Sequence, residues 1–230
     1  MGSGYGDTSI CMIAAAVSKN FGVIAADSAW YEAGKMSYEK GKLMFVRGKY
    51  LATYIGSPMF LAKIDWGRFT QDLGAVSIYL KEYLQKTKPE VEKTLKDLQS
   101  EEEARICVFV LGVYNGKPTL AQFNSFHDFK PKYLFSDGGP KFASIYYGDD
   151  TKKNEIFKES TEYMQKRVFK MEKKGVDITP GLLGEVLTRG IYKKADLEQE
   201  AYGKKYAGGV VSTAVMYANG QAFGLSNVLV

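Results

Sequence analysis

One histidine, His127, and two cysteines, Cys11 and Cys107, make up the whole complement of these residues in a chain of 230. That scarcity narrows the chemistry. Zinc sites draw on clusters of Cys and His, and this chain has none. A Ser-His-Asp triad could be assembled only around His127, in the run Asn124-Ser125-Phe126-His127-Asp128. The run follows an apolar segment and reads as a loop after a strand rather than as a catalytic cluster. Cys11 and Cys107 lie in apolar runs and read as small hydrophobic residues; two cysteines form no disulfide framework. Neither a metal nor a cofactor is implied.

Size and composition suit one domain, spanning 1–230, with a large buried core. Hydrophobic residues make up 45% and charged residues 25%, and the net charge is +5. Lys and Arg are spread along the chain and interleaved with Glu and Asp, the pattern of a solvated surface. No nucleic-acid motif is present. The longest apolar stretches, such as Ile10 to Val17, fall short of the roughly 20 residues of a membrane span. Met1 to Asp7 carries no Lys or Arg and one negative charge, so the apolar run behind it does not read as a signal peptide. A cytoplasmic protein is expected, with no membrane or nucleic-acid partner.

The order of elements follows from hydrophobic patterning. Thr8 to Val17 and Phe21 to Asp27 are continuous apolar runs either side of Ser18-Lys19-Asn20. They predict a hairpin of two strands buried on both faces. Lys40 to Arg47 and Lys49 to Ile55 predict a second hairpin. Ser57-Pro58 opens a helix, with helical periodicity through Leu61, Ile64 and Phe69 and again from Val76 to Leu98; Pro89 and the glycines mark breaks. Ile106 to Tyr114 and Thr119 to Phe126 flank Asn115-Gly116, a strong hairpin signal. Tyr133 to Ser136 is a short strand. Helices are predicted at Lys141 to Tyr147, Lys153 to Lys173 and Gly181 to about Glu200, the last opened by Thr179-Pro180. Strands follow at Val210 to Tyr217 and Gln221 to Leu225. Strands and helices come in blocks, which favours antiparallel sheets with helices outside them.

This order resembles the proteasome β-subunit and HslV family. The run Gly22-Val23-Ile24-Ala25-Ala26-Asp27-Ser28, behind a strand that starts Thr8-Ser9-Ile10, is similar to the family's first hairpin, whose second strand ends in Ala-Ala-Asp. Ile55-Gly56-Ser57 resembles the lead into its first helix, Gly112 to Phe123 its central hairpin, and Tyr206-Ala207-Gly208-Gly209-Val210 its late Ser-Gly-Gly strand. The resemblance covers nearly the whole chain. It implies an α+β fold, the four-layer αββα sandwich of the Ntn (N-terminal nucleophile) hydrolases. It also implies a threonine-type endopeptidase that forms stacked homo-oligomeric rings and acts on polypeptides. In that family a Thr at the mature N-terminus attacks the peptide carbonyl and its own α-amine takes the proton. An Asp ending the second strand pairs with a Lys on the third.

Carried over residue by residue, Asp27 takes the place of the family Asp and Thr8 that of the nucleophile. Residues 1–7 then read as a propeptide or tag remnant. Thr8 lies nineteen residues before Asp27, three more than the family spacing; counting back at that spacing lands on Cys11, the alternative nucleophile. With Ser18-Lys19-Asn20 as the turn, Cys11 falls opposite Asp27. Lys35, Lys40 and Lys42 all lie in the region of the catalytic lysine, and matching the third strand puts Tyr38 at its place; Lys40, two residues on and on the same strand face, is chosen. Ser136-Asp137-Gly138 stands where the family has Gly-Ser-Gly, and Lys204 and Ala207 replace an Asp and a Ser that hold the amine. These departures, and the asparate at the cleavage position before Thr8, point to altered or absent peptidase activity. The alternative is a non-catalytic proteasome-like scaffold that forms rings or binds partners.

Overall fold

Two turn sequences fix much of the chain path. Asn115-Gly116 and Arg47-Gly48 both carry positive φ at their two residues (51° and 72°; 55° and 65°), which tightens a two-residue hairpin loop between Tyr114 and Lys117 and a three-residue one between Val46 and Tyr50. A computed structural model describes residues 12–28, 30–32, 35–37, 42–70, 72–97, 104–145, 151–203, 205 and 209–228. Its elements are β1 (Ile13–Val17), β2 (Phe21–Asp27), β3 (Trp30–Glu32), β4 (Lys35–Ser37), β5 (Met44–Val46), β6 (Tyr50–Gly56), α1 (Leu73–Asp97), β7 (Ile106–Tyr114), β8 (Lys117–Asn124), β9 (Lys132–Leu134), β10 (Lys141–Ile145), α2 (Thr151–Lys173), α3 (Pro180–Tyr202), β11 (Val211–Tyr217) and β12 (Ala222–Val228).

The fold is α+β, with two antiparallel five-stranded sheets. The first runs β10-β1-β2-β11-β12 and the second β5-β6-β7-β8-β9; β3 and β4 pair separately. Strand alternation sorts the apolar residues into three clusters. Ile13, Ala15, Val17, Ile24 and Ala26 meet Leu51, Ile55, Phe109 and Leu111 of the second sheet. Met12, Ala14, Ala16, Val23 and Ala25 point the other way, onto Met164, Val168, Leu183, Leu187 and Ile191 of α2 and α3. Leu73, Val76, Leu80 and Leu84 of α1 pack on Val108, Val110, Ala121 and Phe123 of the second sheet. Both faces of β1 and β2 are therefore covered, which is why neither strand alternates polar with apolar. No helix among the described residues is long and apolar enough to cross a membrane.

Four sequence readings need correction. Lys141 to Tyr147 is not a helix: Lys141–Ile145 is an edge strand whose backbone pairs with the whole of β1, and that pairing overrides local propensity. Pro89 lies inside α1, not at a break; Leu84, Val91 and Leu95 are buried on either side of it, so tertiary packing carries the helix across an exposed proline. The stretch from Leu61 to Phe69 holds only two 3-10 turns, Pro58–Leu61 and Trp66–Arg68, and α1 starts afterwards, where Asp72 Oδ1 accepts from the Gly74 and Ala75 amides at 2.7 and 3.1 Å. The first hairpin loop is Lys19-Asn20, one residue shorter than expected, because Ser18 belongs to the ladder. Its amide donates to Phe21 O (2.8 Å) and its Oγ also bonds that oxygen (2.9 Å).

Gly56, at the end of β6, has φ +105°, and a Cβ there would collide with the backbone oxygen of Arg105. Neither the φ nor the neighbour can give, since Arg105 O also accepts from the Ser57 amide at 2.9 Å. Gly56→Ala is expected to cost at least about 2 kcal/mol, seen as a fall in Tm of about 4 °C or more by scanning calorimetry. An unchanged Tm would contradict the backbone described for this turn.

Candidate active site

Asp27 ends β2, a strand flanked by β1 and β11. It is 1% exposed. A carboxylate so placed is costly unless its charge and lone pairs are met, and here they are. Lys42 Nζ stands 3.0 Å from Oδ1, with Lys42 itself 3% exposed. Oδ2 accepts the Met12 amide at 3.4 Å. Lys42 precedes β5 by two residues, so the ion pair ties the first sheet to the second. Beside it, Ser28 Oγ accepts the Val210 amide at 3.0 Å, and Val211 pairs with Asp27 in the ladder. Four chain segments thus meet at one buried cation–carboxylate pair: the start of β1, the end of β2, the entry to β5 and the entry to β11.

Of the residues singled out in the sequence, Asp27 is at this centre. Thr8, Cys11 and Lys40 lie outside the described residues, as do Lys204 and Ala207. Lys42, another of the three lysines in the region, pairs with Asp27. A signal for it exists: Lys42 stands immediately before the apolar run Leu43-Met44-Phe45-Val46, so it is anchored by the strand that follows. The hairpin register also differs from the sequence reading. Ile13 pairs with Ala26 and the Asp27 amide donates to Met12 O at 3.5 Å, so Met12, not Cys11, stands opposite Asp27. The two-residue loop accounts for the shift.

Ser136-Asp137-Gly138 is far from this centre. The Lys19 amide donates to Gly138 O at 3.4 Å, which puts the tripeptide at the turn end of β1, on the order of 20 Å from Asp27 at strand rise. Lys117 pairs with Asp137 across the surface and holds its carboxyl below the usual range. The departure of this tripeptide from Gly-Ser-Gly therefore carries nothing about the Asp27 centre. The end of β10 nearer this centre is Ile145, which pairs with Ile13.

His127 sits in an exposed 3-10 turn after β8, as the sequence indicated. Ser125 Oγ is taken by the Ile106 amide (3.2 Å), and the Asp128 carboxylate by Gln85 Nε2 (2.8 Å). Among the described residues no three His, Cys, Asp or Glu side chains come together to hold a metal. Cys107 is wholly buried in β7; burial pushes its thiol well above the ordinary value, partly offset by a bond with Gln122. A thiolate is the reactive form, so iodoacetamide at pH 8 is expected to leave Cys107 unlabelled until denaturant is added, as read by peptide mass mapping. Rapid labelling of Cys107 in the native protein would contradict this packing.

No protein-family model matches the chain, and no curated protein matches it in sequence. What the centre can do is therefore argued from its own chemistry. A fixed ammonium beside the start of a strand lowers the cost of forming an alkoxide or thiolate nearby. The Asp27 carboxylate holds that ammonium in place.

Proposed function

We propose that this chain is an Ntn hydrolase of the proteasome type, its sheets and helices stacked in the four-layer order of that family, acting on peptide bonds. The observation that carries the reading is the buried Asp27–Lys42 pair with the Met12 amide donating to Oδ2. A nucleophile just N-terminal to Met12 comes to this pair by chain connectivity alone. Cys11 is bonded to the very nitrogen that Asp27 accepts, so its Cα is about 3.8 Å from that of Met12. Thr8, four residues before Met12, reaches the pair only if the intervening chain turns back, since extended chain covers about 13 Å over that length. Connectivity thus favours Cys11, with Thr8 as the other candidate.

The reaction has four steps. Peptide-bond cleavage before the nucleophile frees its α-amine. That amine, poised near pH 8, takes the proton from the side-chain hydroxyl or thiol while the oxygen or sulfur attacks the scissile carbonyl. Lys42, held by Asp27, stabilises the anionic character of the nucleophile. The C–N bond breaks as the amine returns the proton to the leaving nitrogen, and water then hydrolyses the acyl-enzyme. By the same reading the protein assembles into homo-oligomeric rings in the cytoplasm.

The test is hydrolysis of a panel of fluorogenic tetrapeptides by the purified protein. Cleavage that disappears in Lys42→Met supports the reading. Absence of cleavage by a protein that sediments as a ring would favour a non-catalytic, ring-forming scaffold instead.

A further inference from the structure

We infer that the groove along the outward face of α3 is a binding site for a di- or tripeptide with both termini free. The groove is a cavity of about 810 Å³ between α3, Tyr163 of α2, Thr213 of β11 and Leu225 of β12. Its α3 lining recurs three or four residues apart from Gly181 to Asp196, which is a single helix face. Its size is that of a small-molecule site.

Two features define the ligand. The first is Thr188, which lines the groove, is 2% exposed, and has a hydroxyl with no hydrogen-bond partner. A helical Thr ordinarily bonds a carbonyl one turn back; this one keeps both a donor and an acceptor for an occupant. The second is the charge order along the rim: Glu185, Arg189, Lys193, Asp196. The four charges sum to zero, so the rim favours neither an anion nor a cation. Bases in the middle and acids at the ends match a molecule that carries a carboxylate and an ammonium.

Among the described residues each rim charge is held by a surface pair: Glu185 with Arg189 (2.7 Å), Lys193 with Glu159 (3.5 Å) and Asp196 with Lys205 (3.0 Å). Exposed pairs of this kind contribute little, so a ligand can exchange for them. Helical rise separates Arg189 from Asp196 by about 10 Å, the span of an extended tripeptide at about 3.3 Å per residue. In the assigned pose the carboxylate meets Arg189 and Lys193, the ammonium meets Asp196, and the Thr188 hydroxyl donates to a peptide carbonyl. An apolar side chain lies against Tyr192 and Leu225. The groove also adjoins the Asp27 centre: Tyr192 OH donates to Gly209 O at 3.0 Å, two residues before the strand position that pairs with Asp27. The inference does not depend on the hydrolase reading, because binding is measured without turnover.

Isothermal titration with Gly-Gly-Leu, its N-acetyl form and its C-terminal amide tests it on the intact protein. The free tripeptide is expected to bind, and blocking either terminus to weaken binding by about tenfold or more. Thr188→Val, which removes an unpartnered hydroxyl, is expected to raise Tm slightly while weakening Gly-Gly-Leu by about fivefold; Arg189→Ala weakens it further and spares the fold. No heat up to about 10 mM peptide, or equal binding of the blocked forms, overturns the inference. A Thr188→Val protein with raised Tm and unchanged affinity overturns the role given to Thr188.

Discussion

Lys42→Met is expected to lower the unfolding free energy by about 3–5 kcal/mol and to abolish hydrolysis, whereas the double variant Asp27→Leu/Lys42→Met recovers most of the stability and none of the activity. The reasoning is electrostatic. With the ammonium gone, the Asp27 carboxylate stays 1% exposed and has lost the cation at Oδ1 while keeping the Met12 amide at Oδ2. An uncompensated buried charge costs far more than the intact pair contributes. Removing both charges together removes that penalty, and apolar side chains of similar volume fill the space. The recovery is incomplete because the Met12 amide then lacks its acceptor, a loss of about 1–3 kcal/mol. Chemical denaturation of the three proteins measures the stabilities and a fluorogenic peptide the activities. A Lys42→Met protein as stable as the parent would contradict the buried pair. A double variant that still cleaves would show the pair to be structural.

The second large effect concerns the nucleophile. Cys11→Ala is expected to reduce hydrolysis by at least about 10³-fold, with Thr8→Ala retaining activity within about threefold. The asymmetry follows from connectivity, since Cys11 is joined directly to the amide that Asp27 accepts. Cys11→Ser offers a finer reading: an N-terminal Ser keeps the base and the geometry but is a weaker nucleophile than Cys, so partial activity is expected. If Thr8→Ala were dead and Cys11→Ala active, the chain before Met12 would have to turn back on itself, and Thr8 would take the role.

The first hairpin shows how far the sequence reaches. Within its two apolar runs Ile13–Val17 and Phe21–Asp27 are strands, and the lack of alternation in them correctly signals two covered faces. Its loop length was not legible, because serine is itself a common turn residue, and only the bonds of Ser18 to Phe21 decide. That single residue moves Met12 into the place expected for Cys11. Asp27 was legible as a strand-end carboxylate behind Ala-Ala. Its cation was not, since three lysines crowd one short region and the choice depends on where β5 begins. The β10 strand was missed because Lys-Phe-Ala-Ser-Ile carries no strong local preference and becomes a strand by pairing with β1. The same strand bears on Ser136-Asp137-Gly138, which the resemblance matches to the family's Gly-Ser-Gly. Once β10 is a strand, the tripeptide falls at the turn end and one argument against catalysis goes with it. The small β3–β4 hairpin, Trp30–Glu32 with Lys35–Ser37, falls in a stretch for which the apolar patterning predicts no element.

The most direct test of the central claim is the intact mass of the purified protein before and after treatment with a peptide epoxyketone, an electrophile that engages a terminal nucleophile and its α-amine together. The account predicts a chain that begins at Cys11, lacking residues 1–10, and gains one probe. A chain that begins at Thr8 and gains one probe would keep the Ntn chemistry and reassign the nucleophile. A chain that retains the residues before Thr8 and gains no probe would contradict the claim that β1 delivers a terminal nucleophile to the Asp27–Lys42 pair.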